Sequence, residues 1–169
     1  MILAAWYICR KKKWNFWEIA DLGCTAAPIG LGLGRLGNFI NGELYGRPTN
    51  VAWAMVFPEG GPMPRHPSQL YEAILEGLVL FVILRWLYKK NFYPGTVFWA
   101  LVAFYGLFRF LVEFVREPDA QIGFALGPFT RGQELTIPML VVGTVMMIIY
   151  MRRPLPEPAH PKRKTKTQH

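Results

Sequence analysis

The residues of this sequence with chemistry to explain are ionisable groups inside long apolar runs. Arg109 and Glu113 lie in the run 96–115, TVFWALVAFYGLFRFLVEFV. A charged side chain at membrane depth costs several kcal/mol, so it marks a functional site or a committed structural pair. Tyr105, Arg109 and Glu113 recur at every fourth residue, which places them in one stripe of a helix, and Arg116 continues it. Such a stripe must face protein or a wet cavity, and an ion pair locking two helices is the structural alternative. A second set, Gln69, Glu72 and Glu76, lies near one face at the start of the run 70–88. Pro67 and Ser68 ahead of it suit a helix start. Glu72 and Glu76 taken alone are ambiguous. His66, in the outward connection, reads either as a solvated loop residue or as a group for proton transfer.

The densest segment is 34–46, GRLGNFINGELYG, with four glycines, two asparagines, an arginine and a glutamate in 13 residues. Glycine lets a backbone approach a ligand or another chain closely. Asn38 and Asn41 both donate and accept hydrogen bonds. Arg35 can hold a phosphate through paired donors. The Gly30/Gly34 spacing is a small-xxx-small pattern that predicts helix packing. Arg35, Arg109 and one of Arg47, Arg65 or Arg116 could meet, with Glu43, Glu113 and His66 nearby. An arginine-lined pocket of this kind suits a phospholipid headgroup. It would favour chemistry in which phosphate leaves, because cations stabilise the charge that develops on the leaving oxygen. Cys9 and Cys24, the two cysteines, read as packing residues: one lies beside a basic run and the other inside a small-residue helix.

The elements that must position these groups are membrane helices. Hydrophobic residues make up 52% of the 169-residue chain and charged residues only 18%, against about 25% in soluble domains. That balance excludes a disordered chain and argues against a soluble globule. A spanning helix needs about 20 apolar residues. The runs 70–88, 96–115 and 135–151 qualify or nearly so, and 17–34 is a fourth, richer in small residues. The run 1–8 rises only about 12 Å as a helix and cannot cross a core of about 30 Å. It reads as the last half of a membrane helix whose first half would precede Met1, or as a short interfacial anchor. The expected fold is therefore an all-α integral membrane bundle of about four transmembrane helices plus an N-terminal partial helix. Residues 1–153 form the membrane domain, with an outward loop at 34–67, and 154–169 form a disordered basic tail.

Charge sets the orientation. The net charge is +8. Arg10 to Lys13, Arg85 with Lys89 and Lys90, and Arg152 with the tail lysines all fall on one side, which the excess of basic residues assigns to the cytoplasm. The connections 35–67 and 116–131 then face outward. Nothing in the sequence resembles a nucleotide loop or a zinc site, and in a membrane chain the basic balance points to lipid rather than nucleic acid.

Segment 34–46 closely resembles the signature of the bacterial prolipoprotein diacylglyceryl transferases. RHPSQLYEA at 65–73, FYGLFRFLVEFVREPDAQ at 104–121 and RGQELTIPM at 131–139 resemble further blocks of that family, in family order. The resemblance covers nearly all of the chain except the tail. It implies a multi-pass enzyme of the bacterial inner membrane with its site at the outer face and its C-terminus cytoplasmic. Such an enzyme moves a diacylglyceryl group from phosphatidylglycerol to the lipobox cysteine of a prolipoprotein signal peptide. A thioether forms and glycerol phosphate leaves, with no metal or cofactor and no nucleic acid partner. The match places essential roles at Arg35, Asn38, Glu43, Gly46 and Arg109, with Tyr105 and Glu113 beside Arg109. On this reading Arg35 and Arg109 hold the phosphate, Asn38, Asn41 and Glu43 shape the headgroup site, and Glu113 orients Arg109. His66 is a candidate for proton transfer. Family members also carry helices, with a His-Gly-Gly block, ahead of the part matched here, so the chain reads as the C-terminal part of such an enzyme. An inactive phospholipid-binding remnant and a small transporter or channel subunit are the alternatives.

Overall fold

The computed structural model describes residues 2–117, 124–126 and 129–155. The basic tail beyond residue 155, with His160 and His169, lies outside the described residues, as do Pro118 to Gln121 of the third block. The described chain is predominantly helical. Helix α1 (Ile2–Lys12) leads into α2 (Phe16–Ile40), and a rod built of α3 (Ser68–Glu72), a π-helical stretch (Ala73–Val79) and α4 (Leu80–Lys89) follows. Helix α5 (Thr96–Val112) and helix α6 (Arg131–Met151) complete the bundle, and a two-stranded antiparallel ribbon, β1 (Phe124–Leu126) and β2 (Phe129–Thr130), connects them.

Several elements differ from the expected boundaries for local reasons. Helix α1 continues through Arg10 and Lys11 to Lys12, because basic residues suit the C-terminal end of a helix dipole. It ends where Lys13 turns left-handed at φ 56°. Asn15 then caps α2 by accepting from the Trp17 N–H at 3.0 Å. Helix α2 runs 25 residues, about 37 Å, and absorbs the first half of the signature, so the expected outward loop begins at Asn41 rather than Gly34. The stop is a Schellman turn. The Glu43 N–H donates to the Asn38 carbonyl at 2.9 Å and the Gly42 N–H to that of Phe39 at 3.1 Å. Gly42 sits at φ 72°, where a side chain would be strained.

Glycines set the helix crossings, but not the ones expected. A Cβ on Gly30 or Gly34 would meet open space, whereas one on Gly77 would lie 2.8 Å from the Gly32 Cα. The α2–rod crossing is therefore a backbone-to-backbone contact at Gly32 and Gly77. Gly106 and Gly143 do the same for α5 against α6: a Cβ on Gly143 would lie 2.6 Å from the Ala103 nitrogen. Leu80, Leu84, Leu87, Val97, Ala100 and Phe108 form the buried core between the rod and α5.

The two ends of the bundle differ. At one end, Trp17 packs edge-on against Phe98 and Tyr150, with ring centroids 5.7 and 5.8 Å apart. There Asp21, buried in α2, accepts from the Gly95 N–H at 2.7 Å and the Phe98 N–H at 2.8 Å. A carboxylate of one helix thus caps the first turn of another, a contact absent from the sequence reading. Arg153 stacks on Tyr150 at this same end. The start of α2, the end of α4 and the end of α6 gather here, so Arg10 to Lys13, Lys89 with Lys90, and Arg152 with Arg153 share one end, while the tail lysines lie outside the described residues. Outward faces are apolar: Leu33, Leu78, Val82 and Val145 are all more than half exposed. Helix α6 over Gly132–Met151 is long and apolar enough to cross a membrane, and Thr96–Val112 is a shorter apolar helix.

Candidate functional site

The opposite end carries the polar centre, and Glu72 is its hub. Helix α3 starts at Ser68, whose hydroxyl donates to the Leu44 carbonyl at 3.0 Å, and this pins the rod beneath the signature turn. Glu72 is then 1% exposed between α2 and α5. Its Oε2 lies 3.0 Å from Arg35 Nε, and its Oε1 lies 2.6 Å from Arg109 Nη1 and 3.7 Å from Arg116 Nη1. Glu76, fully buried one turn on, lies 3.5 Å from Arg35 Nη2. Glu113 lies 3.4 Å from Arg109 Nη2. A Cβ on Gly132 would come 2.6 Å from Glu113 Oε1, so that carboxylate rests on the first turn of α6, where helix N–H groups face outward.

This arrangement has a plain electrostatic logic. Buried carboxylates persist when paired and are costly when not. Three guanidinium groups and three carboxylates, from α2, the rod and the end of α5 with the turn after it, lie within ion-pair reach of one another here. The π-helical stretch is the local device that makes it fit. Its wider turn brings Glu76 onto Arg35 and Gly77 onto Gly32 in the same crossing.

Of the arginines proposed to converge, Arg35, Arg109 and Arg116 do. Arg47 and Arg65 do not, because the loop head after α2 uses them. Arg47 Nε donates to the Arg116 carbonyl at 2.8 Å. Arg65 donates to the Gly60 carbonyl at 2.9 Å, pairs with Glu117 and stacks on Tyr45. Gly46 is the pivot of that head. Its N–H donates to the His66 carbonyl at 2.9 Å, and its Cα is pressed between His66 and the Val115 carbonyl.

His66 stands apart from the arginines. Its Nδ1 is 3.2 Å from the Tyr71 hydroxyl, which itself accepts from Trp53 Nε1 at 2.6 Å. The Tyr71 hydroxyl thus bridges Trp53 and His66 and holds the His66 ring in place. Asn38 is half-buried, Asn41 and Glu43 are exposed, and the Glu43 carbonyl accepts from Gln69 Nε2. Tyr105 is half-buried in α5 one turn before Arg109. Cys9 is buried and Cys24 packs beside the core, so both behave as packing residues. Glu72 was the residue that sequence reasoning undervalued. The available signal was the Gln69, Glu72, Glu76 spacing: three polar groups on one face of an otherwise apolar helix.

The fold and the site together define a helical, outwardly apolar protein with an arginine–carboxylate centre beneath a loop head at one end. The family model for prolipoprotein diacylglyceryl transferase matches residues 1–149. A phosphatidylglycerol–prolipoprotein diacylglyceryl transferase of Geobacter sulfurreducens is 60% identical over 153 residues, which cover 90% of this chain and 59% of the relative. Proteins of the same name from Vibrio parahaemolyticus and Mannheimia succiniciproducens are 53% and 51% identical, covering 92% and 90% of this chain and 57% and 58% of their own lengths. The chain belongs to the prolipoprotein diacylglyceryl transferase family. It spans just under three-fifths of the length of these relatives.

Proposed function

We propose that this chain, in its full-length context, transfers the diacylglyceryl group of phosphatidylglycerol to the lipobox cysteine of a prolipoprotein. The cysteine sulfur attacks the glyceryl carbon, the carbon–oxygen bond to phosphate breaks, and glycerol phosphate leaves. The thiol proton passes to a base. One observation carries the reading: Arg35 and Arg109, from different helices, are held side by side on Glu72. Two fixed guanidinium groups are suited to grip a phosphodiester and to stabilise the charge of the departing phosphate.

That geometry supports the following roles. Arg35 and Arg109 hold the phosphate, and Glu113 orients Arg109. Asn38, Asn41 and Glu43 line the headgroup side at the exposed turn, Gly46 holds that turn against the rod, and Tyr105 flanks Arg109. His66, with Nδ1 engaged by Tyr71, is the candidate for proton transfer through its other ring nitrogen. The apolar outer faces suit a multi-pass bundle in the bacterial inner membrane. The end that gathers the basic clusters would face the cytoplasm, and the arginine centre would lie at the outer leaflet. Residues 1–153 form the membrane domain and 154–169 a basic cytoplasmic tail.

The test is thioether formation on a lipobox peptide in phosphatidylglycerol bilayers, with the full-length protein that contains these residues. Arg109→Ala and Arg35→Ala are each expected to lower turnover at least a hundredfold. Normal turnover by Arg109→Ala would refute the assigned role.

A further inference from the structure

We propose that Glu72 is the resident counter-anion of the arginine centre and that it selects which phosphate species the centre retains. It favours a monoanionic phosphodiester over a dianionic phosphomonoester. This rests on the reading above, in which a diester is substrate and a monoester is product.

The first observation is one of exposure. Glu72 is 1% exposed while Arg35 and Arg109 are each 17% exposed at the side chain. The carboxylate is therefore enclosed, while both arginine side chains keep part of their surface accessible. Glu72 does not present itself to a ligand. It is a positioning residue that fixes two forks and subtracts one charge from them.

The second observation is charge balance. Among the described side chains, Arg35, Arg109 and Arg116 face Glu72, Glu76 and Glu113 in one connected network, so each cation already has a carboxylate beside it. A diester brings one negative charge into this largely buried centre, where carboxylates already stand against the arginines, and a monoester above its second pKa of about 6 brings close to two. Charge–charge terms are large where water is scarce, so the second negative charge weighs against retention. The centre would then bind the diester, stabilise charge as the carbon–oxygen bond breaks, and release the product that the break creates. Without the Glu72 charge, the centre carries an excess positive charge and holds the product.

The experiment uses the whole chain in maltoside micelles, free of lipid phosphate, at pH 8. It compares inorganic phosphate, mostly dianionic, with dimethyl phosphate, a monoanion, by calorimetric titration. The unsubstituted chain is expected to bind dimethyl phosphate at least as tightly as inorganic phosphate. Glu72→Gln, which keeps the side-chain shape, is expected to tighten inorganic phosphate at least tenfold and dimethyl phosphate less than threefold. Glu72→Asp is expected to behave like the unsubstituted chain. Tighter binding of the dianion by the unsubstituted chain would overturn the proposal, and that measurement needs no variant to fold. Equal tightening of both ligands by Glu72→Gln, or none, would overturn it as well. A full-length protein that forms no thioether would refute the transferase reading and leave these binding ratios unaffected.

Discussion

Gly46 shows how much a single position of the signature carries. Glycine is needed there for space rather than for a left-handed backbone. A Cβ would lie 2.5 Å from the Val115 carbonyl oxygen and 2.8 Å from that of His66, and neither backbone atom can yield. Gly46→Ala is expected to destabilise the protein by about 3 kcal/mol, at the upper end of overpacking costs. Gly60→Ala is the milder comparison, because its Cβ would meet no backbone atom, only the Arg65 side chain at 3.1 Å and the Phe57 Cβ at 3.4 Å. Thermal unfolding in detergent should separate the two, and equal stability of both variants would contradict the steric account. The signature motif pointed to Gly46, but its neighbours could not be inferred from it. His66 and Val115 lie 20 and 69 positions away along the chain, and only the folded head brings them to one glycine.

At the scale of elements, helix α5 is fastened at both ends by carboxylates of other helices. Asp21 caps its first turn, and Glu72 engages Arg109 in its last. The stripe that holds Arg109 is thereby fixed in height and rotation. Asp21→Ala would leave the Gly95 and Phe98 N–H groups without their acceptor, at a cost of about 1–2 kcal/mol, the range for losing a helix cap. Chemical unfolding in micelles measures this. Asp21→Asn, which keeps one acceptor oxygen, should recover part of the loss. The apolar runs made the helices themselves legible, with ends misplaced by a few residues. The capping was not legible, because Asp21 serves a helix that starts 75 residues later.

For the molecule as a whole, the crossing of α2 with the rod decides whether the centre forms. Gly77→Ala would press a methyl group against the Gly32 Cα and part the helices that bring Arg35 to Glu76. It is expected to lower both the melting temperature and phosphate binding. Gly30→Ala and Gly34→Ala, facing open space, should be neutral or stabilising by up to about 1 kcal/mol, the helix-propensity gain of alanine over glycine. A destabilised Gly30→Ala would revive the small-xxx-small face that the sequence suggested. By itself the sequence determined that the protein is built of apolar helices, that its basic clusters share one end, and which family it belongs to. These follow from composition, period and local motif, all of which act over a few neighbouring residues. Only the tertiary structure decided that Glu72 is the hub, that Arg116 joins the centre while Arg47 and Arg65 brace the head, and that Gly32 rather than Gly30 meets the rod. Each of these depends on which side chain a crossing angle and one widened helical turn bring within about 3 Å of another. No local pattern specifies that.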